Sequence, residues 1–263
     1  MPLRLATWNV NSVRLRLEQL AWIDQRLRPD VLCLQETKVV DSLFPREALA
    51  ELGFTHLALW GMKGYNGVAI AARHPLQAVR TQSWCGRDDC RHLIATVEGV
   101  DIHCLYIPSG GDVPDPDVND KFAHKLAFLD EVAAWFAETA DPAKPMALLG
   151  DFNIAPLETD VWSHRQMLKV VSHTPVEVER LAVLRASLGW VDAVRQVIPP
   201  EEHLYTWWSY RAADWAKADR GRRLDHVWVT PALAPRVTDA LILKETRGWQ
   251  PPSDHVPVLV ELG

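Results

Sequence analysis

Leu3-Arg4-Leu5-Ala6-Thr7-Trp8-Asn9-Val10-Asn11 is an apolar run that passes directly into a pair of asparagines, and Val31-Leu32-Cys33-Leu34-Gln35-Glu36-Thr37-Lys38 repeats the plan with Gln, Glu and Lys. A short apolar run bounded by polar residues reads as a buried strand. Polar groups at the end of such a strand need partners, because burying them bare is costly. Between the two runs, Val13 to Leu27 keeps Leu17, Leu20, Ala21 and Leu27 on one helical face, with Ser12 as the expected N-cap and Pro29 closing the helix. Strand, helix and strand in this order point to an α/β domain.

The same alternation continues outward. A helix is expected from about Arg46 to Leu52, stopped by Gly53, with strands at Thr55–Leu59, Gly67–Ala72, Leu93–Val97 and Ile102–Ile107. Phe122 to Phe136 is the strongest amphipathic helix, Met146–Leu149 a further buried strand, and Val176–Leu188 another helix. Strands are expected at Tyr205–Trp208, Leu224–Val229, Ala240–Leu243 and Val256–Val260. The chain has no Gly/Ser-rich linker and no fixed repeat, so 1–263 reads as one α/β domain whose sheets are covered by helices.

With 263 residues, 48% hydrophobic and 24% charged, the composition is that of a globular protein and excludes disorder and collagen. No apolar run approaches the ~18–20 residues of a membrane span. The first residues lack the basic and apolar regions of a secretory signal, so the four cysteines are expected to be reduced thiols of a cytoplasmic protein. The net charge of −6 argues against a nucleic-acid partner, but it is unevenly spread: residues 1–40 and 205–247 are net basic, and the latter hold Trp207, Trp208, Trp215 and Trp228. Basic residues interleaved with aromatics suit a nucleic-acid groove. Trp60, Trp135, Trp162 and Trp190 read as packing, and Cys85-x4-Cys90 with His92 lacks the second pair that a zinc site needs.

Five polar clusters flank strands: Trp8–Asn11, Gln35–Lys38, Gly150-Asp151-Phe152-Asn153, Arg223-Leu224-Asp225-His226 and Ser253-Asp254-His255. Ligands gather at strand ends in such sheets. Asn9 and Asn11, like Asp151 and Asn153, are spaced by two and point the same way on extended backbone; alternatively, Asp-x-Asn is a turn bonding its own backbone. Glu36, Asp151, Asp225 and Asp254 would repel one another if gathered bare, and a hard cation such as Mg²⁺ resolves this. His255, with Asp254 beside it and Asp225 available, offers an oriented imidazole for acid–base work.

Thr7–Arg14, Leu34–Lys38, Lys63–Ala69, Gly150–Asn153, Tyr205–Arg211, Arg223–His226 and Pro252–Val258 together resemble, in order and over nearly the whole chain, the motif series of the exodeoxyribonuclease III family. These are apurinic/apyrimidinic endonucleases of the endonuclease/exonuclease/phosphatase superfamily. The resemblance implies a four-layer α/β/β/α sandwich of two mixed sheets flanked by helices. It also implies a Mg²⁺-dependent (or Mn²⁺-dependent) nuclease that cuts double-stranded DNA 5′ to abasic sites and processes 3′ ends as exonuclease, phosphatase and phosphodiesterase, expected to act as a monomer. By the same resemblance Glu36 is the principal metal ligand with Asn9 near it, Asp254 a second ligand, and Asp151 the residue that orients or deprotonates water. Asn153 contacts phosphate, Tyr106 lies by the leaving group, and Asp225 and His255 form a coupled pair on the scissile phosphate. Asn11, Arg14, Lys38, Trp207, Tyr210, Arg211, Arg222, Arg223 and Leu224 are the expected DNA contacts. Whether Asp151 or His255 is the base stays open.

Two departures stand out. Ser109 replaces the family's Asn or Gln, and Arg222 replaces the apolar residue that, with Trp207 and Leu224, walls the pocket for an abasic sugar. Arg222 either lays its stem over the pocket and holds a phosphate or makes the pocket wider and more polar, lowering abasic specificity relative to 3′-end processing. Two rival readings are a relative that hydrolyses a non-DNA phosphoester and a catalytically dead DNA-binding module; the intact set of polar residues argues against the second.

Overall fold

A computed structural model describes residues 2–212 and 214–263. The strands are β1 (Leu3–Asn9), β2 (Val31–Gln35), β3 (His56–Met62), β4 (Tyr65–Ala72), β5 (Gln77–Thr81), β6 (His92–Val97), β7 (Val100–Tyr106), β8 (Met146–Asp151), β9 (Val191–Asp192), β10 (Asp225–Val229), β11 (Val237–Ile242) and β12 (Val258–Leu262). The helices are α1 (Leu17–Leu27), α2 (Arg46–Glu51), α3 (Asp120–Thr139), α4 (His164–Met167), α5 (Pro175–Ser187), α6 (Ala193–Val197) and α7 (Trp215–Ala218).

The strands form two six-stranded mixed sheets, ordered β11-β12-β1-β2-β4-β3 and β5-β6-β7-β8-β10-β9. Each has one parallel pair near its centre, β1 with β2 and β7 with β8. Inner faces meet in one apolar layer, with Leu5, Cys33 and Ile70 of one sheet against Ile102, Leu149 and Val227 of the other. The outer face of the first sheet packs Leu32 and Leu34 against Leu20, Ile23 and Leu27 of α1. The outer face of the second packs Leu105 and Leu148 against Phe128, Val132 and Phe136 of α3 and Leu181 and Leu184 of α5. This is the four-layer α/β/β/α sandwich. The last strand is not an edge: β12 lies between β11 and β1.

Local departures from the sequence expectation have physical reasons. Ser12 does not cap a helix: its backbone is at φ 85 and its N–H donates to the Glu36 carbonyl (2.8 Å), so α1 begins only at Leu17 after a 3₁₀ turn over Val13–Leu15. At the far end Arg28 turns left-handed (φ 44) ahead of Pro29. Tyr205–Trp208 is not a strand. Trp207 forms single bridges to Arg222 and His255, and the Thr206 hydroxyl accepts the N–H groups of Leu224 and Asp225 (3.0 Å each).

Under α3, His92 and His103 share one proton between their rings (3.0 Å), buried against Trp135 and Phe136. Burial holds both imidazoles neutral, His103 down to about 3 and His92 also well below its ordinary value. An unfolded histidine takes up its proton below about pH 6.5, so this neutral burial favours unfolding as pH falls. His103→Gln removes one such group. Between about pH 7.5 and 5.5 the wild type should therefore lose about 1.4 kcal/mol more stability than the variant. Urea unfolding at the two pH values measures this, and parallel losses would show that the imidazole is protonated in the fold.

Candidate active site

The strand registers gather the polar clusters. At the carboxyl ends of the parallel pairs, Asn9 lies opposite Gln35 and Tyr106 opposite Asp151, while Asp225, opening antiparallel β10, lies on the other side of Asp151. Both spacing-by-two pairs are turns as well as site elements. The N–H of Asn11 (φ 44) donates to Asn9 Oδ1 (3.1 Å), and that of Asn153 (φ 54) donates to Asp151 Oδ1 (2.9 Å). The left-handed second residue in each lets the first carry its side chain inward.

Asn9 joins the two sheets. Its Nδ2 donates to Glu36 Oε1 (3.0 Å) and to Asp151 Oδ2 (2.9 Å). Glu36 Oε1 also accepts from the Tyr106 hydroxyl (2.8 Å), and Oε2 pairs with Lys38 Nζ (2.7 Å). Asn153 Nδ2 donates to Asp151 Oδ2 (3.1 Å) and the Ile107 carbonyl (2.9 Å). His255 Nδ1 bonds Asp225 Oδ2 at 2.8 Å, leaving Nε2 3.6 Å from Asp151 Oδ2. The ring is fixed from behind: Trp8 Nε1 donates to the His255 carbonyl, and Ser253 Oγ donates to the Asn9 carbonyl while accepting the His255 N–H.

Electrostatics divides these groups by role. Burial disfavours a charge on His255, but Asp225 and Asp151 outweigh it and raise the imidazole well above its ordinary value. Burial raises Asp151 above the usual carboxylate range, with Asp225 and Glu36 adding and His255 opposing. For Glu36 the burial penalty is overcome by Lys38 and by hydrogen bonds from Asn9, Lys38 and Tyr106, which hold it below that range. The Tyr106 phenol, buried beside Glu36 and Asp151, is pushed up and stays protonated.

A cation fits this chemistry. Carboxylate oxygens of Asp151 and Asp225 lie within 4.8 Å of each other and Asp225 Oδ1 is buried without a hydrogen-bond partner among the described residues, while the His255 ring beside them, raised by the same carboxylates, is not counted as a ligand. With the Glu36 carboxylate and Asn9 amide adjoining, the donors are mainly oxygen, the preference of a hard divalent ion. Asp254 is turned elsewhere, accepting from Asn11 Nδ2 (3.1 Å) and Trp207 Nε1 (3.0 Å). Asp254, the expected second metal ligand, thereby orients Trp207 as well.

Beside this centre is a pocket of about 620 Å³ lined by Trp207, Tyr210, Arg211, Arg222 and Asp254, and also by Trp162 and Arg220. Arg222 lies 4.8 Å over the Trp207 ring with Nη1 tied to the Val171 carbonyl and Ser172 Oγ, and Leu224 packs in the same apolar cluster as Trp207. Trp162 is thus not simply packing: Arg220 covers its ring at 4.6 Å on the pocket wall. Arg14 and Arg211 are exposed nearby in sequence to Asn11 and Tyr210, and Lys38 Nζ also bonds Asn11 Oδ1 (2.5 Å). Arg223 departs from the expected DNA contacts. It is 1% exposed and bound to Asp160 and Asp192, which direct it into the fold.

Residues 6–255 match the Endonuclease/Exonuclease/phosphatase family. The chain belongs to that family. Within the family it is similar to an AP endonuclease from Archaeoglobus fulgidus, with 32% identity, TM-score 0.91 and 98% of each chain covered. It is also similar to a 3′ phosphatase from Neisseria bound to a product DNA hairpin, with 34% identity, TM-score 0.90 and 99% of each chain covered. Exodeoxyribonuclease III of Haemophilus influenzae is 28% identical, over 98% of this chain and 99% of its own length. The chain is thus a nuclease-type hydrolase of the exodeoxyribonuclease III and AP-endonuclease branch of the Endonuclease/Exonuclease/phosphatase family.

Sequence reasoning missed several supports of this family site. Arg16 is buried and donates to the Pro252 carbonyl and the Tyr210 hydroxyl, while Arg91 stacks 4.7 Å over Tyr106. Neither sits in a pattern that separates it from a surface arginine.

Proposed function

We propose that the chain is a Mg²⁺-dependent DNA-repair nuclease, with Mn²⁺ as a substitute. It hydrolyses phosphodiesters of double-stranded DNA 5′ to abasic sites and processes 3′ ends. The observation that carries this reading is the Asn9 amide bridging Glu36 and Asp151, with the Asp225–His255 pair facing the same Asp151 oxygen. Glu36, with Asn9 and Asp151, would hold the ion, which supplies positive charge at the phosphoryl oxygens when bound.

The chain's own groups supply the rest. Asp151, held by Asn9 and Asn153 and raised by burial, accepts a proton from the attacking water. His255, kept protonated by Asp225 and Asp151, donates to a phosphoryl oxygen, which favours Asp151 as the base. On the flank nearest β7, the Tyr106 hydroxyl donates to Glu36 and the Asn153 amide to Asp151 and the Ile107 carbonyl; substrate would take over these hydrogens for the phosphate and leaving oxygen. As water adds to phosphorus and gives its proton to Asp151, the bond to the leaving oxygen breaks, that oxygen takes a proton from solvent, and Asp151 returns one to solvent. Both sheets contribute to this centre, which supports 1–263 working as one catalytic unit. Abasic duplex and 3′-phosphate substrates incubated with Mg²⁺ should be processed and should be spared with EDTA; EDTA-resistant cleavage would refute the reading.

The second reading concerns the balance of activities. Arg222 is stacked on Trp207 and tied to the 171–172 loop, so it closes the face against which an abasic sugar would pack. Abasic nicking is then weak relative to 3′-end processing, and Arg222→Leu should raise the ratio of the two several-fold. An unchanged ratio in parallel assays would sink this reading.

A further inference from the structure

Lys125 of α3 and Glu177 of α5 form an ion pair whose side chains are both fully buried. Such a pair is poor value for stability alone, since the cost of desolvating both charges can match their attraction. Its hydrogen bonds show where it acts. Lys125 Nζ donates to Glu177 Oε1 (2.5 Å), the Asn153 carbonyl (2.8 Å) and the Ser109 carbonyl (3.3 Å), so all its protons are used. Glu177 accepts the Ser172 N–H on both oxygens (3.0 Å each), and the Thr174 N–H (3.2 Å) and hydroxyl (2.6 Å) on Oε2.

The loops tied in this way are those that shape the site. The 107–110 segment follows Tyr106, the 151–155 segment carries Asp151 and Asn153, and the 171–174 segment holds Arg222 through Val171 and Ser172. Two residues in them, Asn153 (φ 54) and Ser172 (φ 92), have the left-handed backbone that ordinary residues avoid, and such strain persists only where surroundings impose it. The lysine takes the carbonyl of one and the glutamate the N–H of the other. Gly110 packs so closely on the lysine stem that a Cβ there would lie 2.9 Å from Lys125 Cδ.

We propose that Lys125 and Glu177 are positioning residues: one buried ion pair sets the strained turns at Asn153 and Ser172, and through them the Asp151–Asn153 constellation and the Arg222 wall. This rests on the reading of Asp151 and Asn153 as part of the catalytic machinery. An apolar pair of similar size would fill the space without setting the turns.

The test uses Lys125→Met with Glu177→Leu, which removes both charges together and leaves neither stranded. This double variant should stay folded with a lowered thermal midpoint, because the Ser172 and Thr174 N–H groups lose their acceptor, and should cleave abasic duplex or 3′-phosphate DNA at least tenfold more slowly in kcat with KM within about twofold. Amide exchange at 151–155 and 171–174 should quicken while the sheets stay protected. Lys125→Met with Glu177→Gln, which keeps one side-chain oxygen to accept from Ser172 and Thr174 and strands no charge, should recover part of kcat. A well-folded double variant with wild-type kcat and unchanged exchange would overturn the proposal. Because exchange needs no substrate, a wild type that fails to cleave DNA would count against the proposed function, while faster loop exchange would still support the turn-setting role.

Discussion

Asp151→Asn should lower the rate of DNA cleavage by about 10³-fold while leaving DNA binding intact, as expected for loss of a positioned base in an electrostatically organised site. The substitution preserves size, and the side-chain oxygen can still accept from Asn9 Nδ2 or the Asn153 N–H. What it removes is the charge that faces His255 Nε2 and the capacity to take a proton from water. Affinity should hold or tighten, because a negative group beside an anionic backbone is lost. Single-turnover cleavage, paired with binding measured by anisotropy, separates the two effects. A loss below tenfold would pass the base role to His255, and a matching loss of binding would mean that Asp151 mainly holds the site together.

The largest stability effect is expected at Arg223. Its Nε and Nη2 bond Asp160 (2.8 and 3.1 Å), its Nη1 bonds Asp192 (2.7 Å), and Arg195 adds a second cation at Asp160 (2.6 Å). Arg223→Met leaves buried carboxylates without their shared cation, which should cost about 3–5 kcal/mol. Arg223→Lys should recover little, since an ammonium cannot match the planar fork that engages two carboxylates at once. Urea unfolding gives the size, and a cost under about 1 kcal/mol would show that water or rearrangement satisfies the aspartates. The salt dependence of DNA binding by folded Arg223→Lys should match wild type, because this cation faces the interior; a reduced slope would restore it to the DNA surface.

The difference between the two sites explains what could be read in advance. Continuous apolar runs such as Val31–Leu34 and Met146–Leu149 announce strands because both their faces are covered, and polar residues at their ends announce a site because nothing else explains them. β5 gave no such signal: all of Gln77–Thr81 is exposed on a sheet edge, so its residues carry no burial pattern. At Tyr205–Trp208 aromatic and β-branched composition imitated a strand, whereas tertiary bridges fix an irregular segment. Lys125, Glu177 and Arg223 look in sequence like ordinary solvated charges. The side-chain partners of Lys125 and Arg223 lie between 16 and 63 positions away, so only the packing of α3, α5 and the 219–224 turn shows that these charges are interior.

The placement of β12 has a consequence for how activity first arises. This strand is inserted between β11 and β1, and the segment entering it carries Ser253, Asp254 and His255. A growing chain holds its acidic residues long before it holds the imidazole that faces them. Until the final strand slots beside the first, it also lacks the Ser253 clamp on Asn9. The joining of β12 to β1 and the completion of the polar centre are therefore one event: without that pairing, Asp225 has no imidazole and Asn9 no clamp.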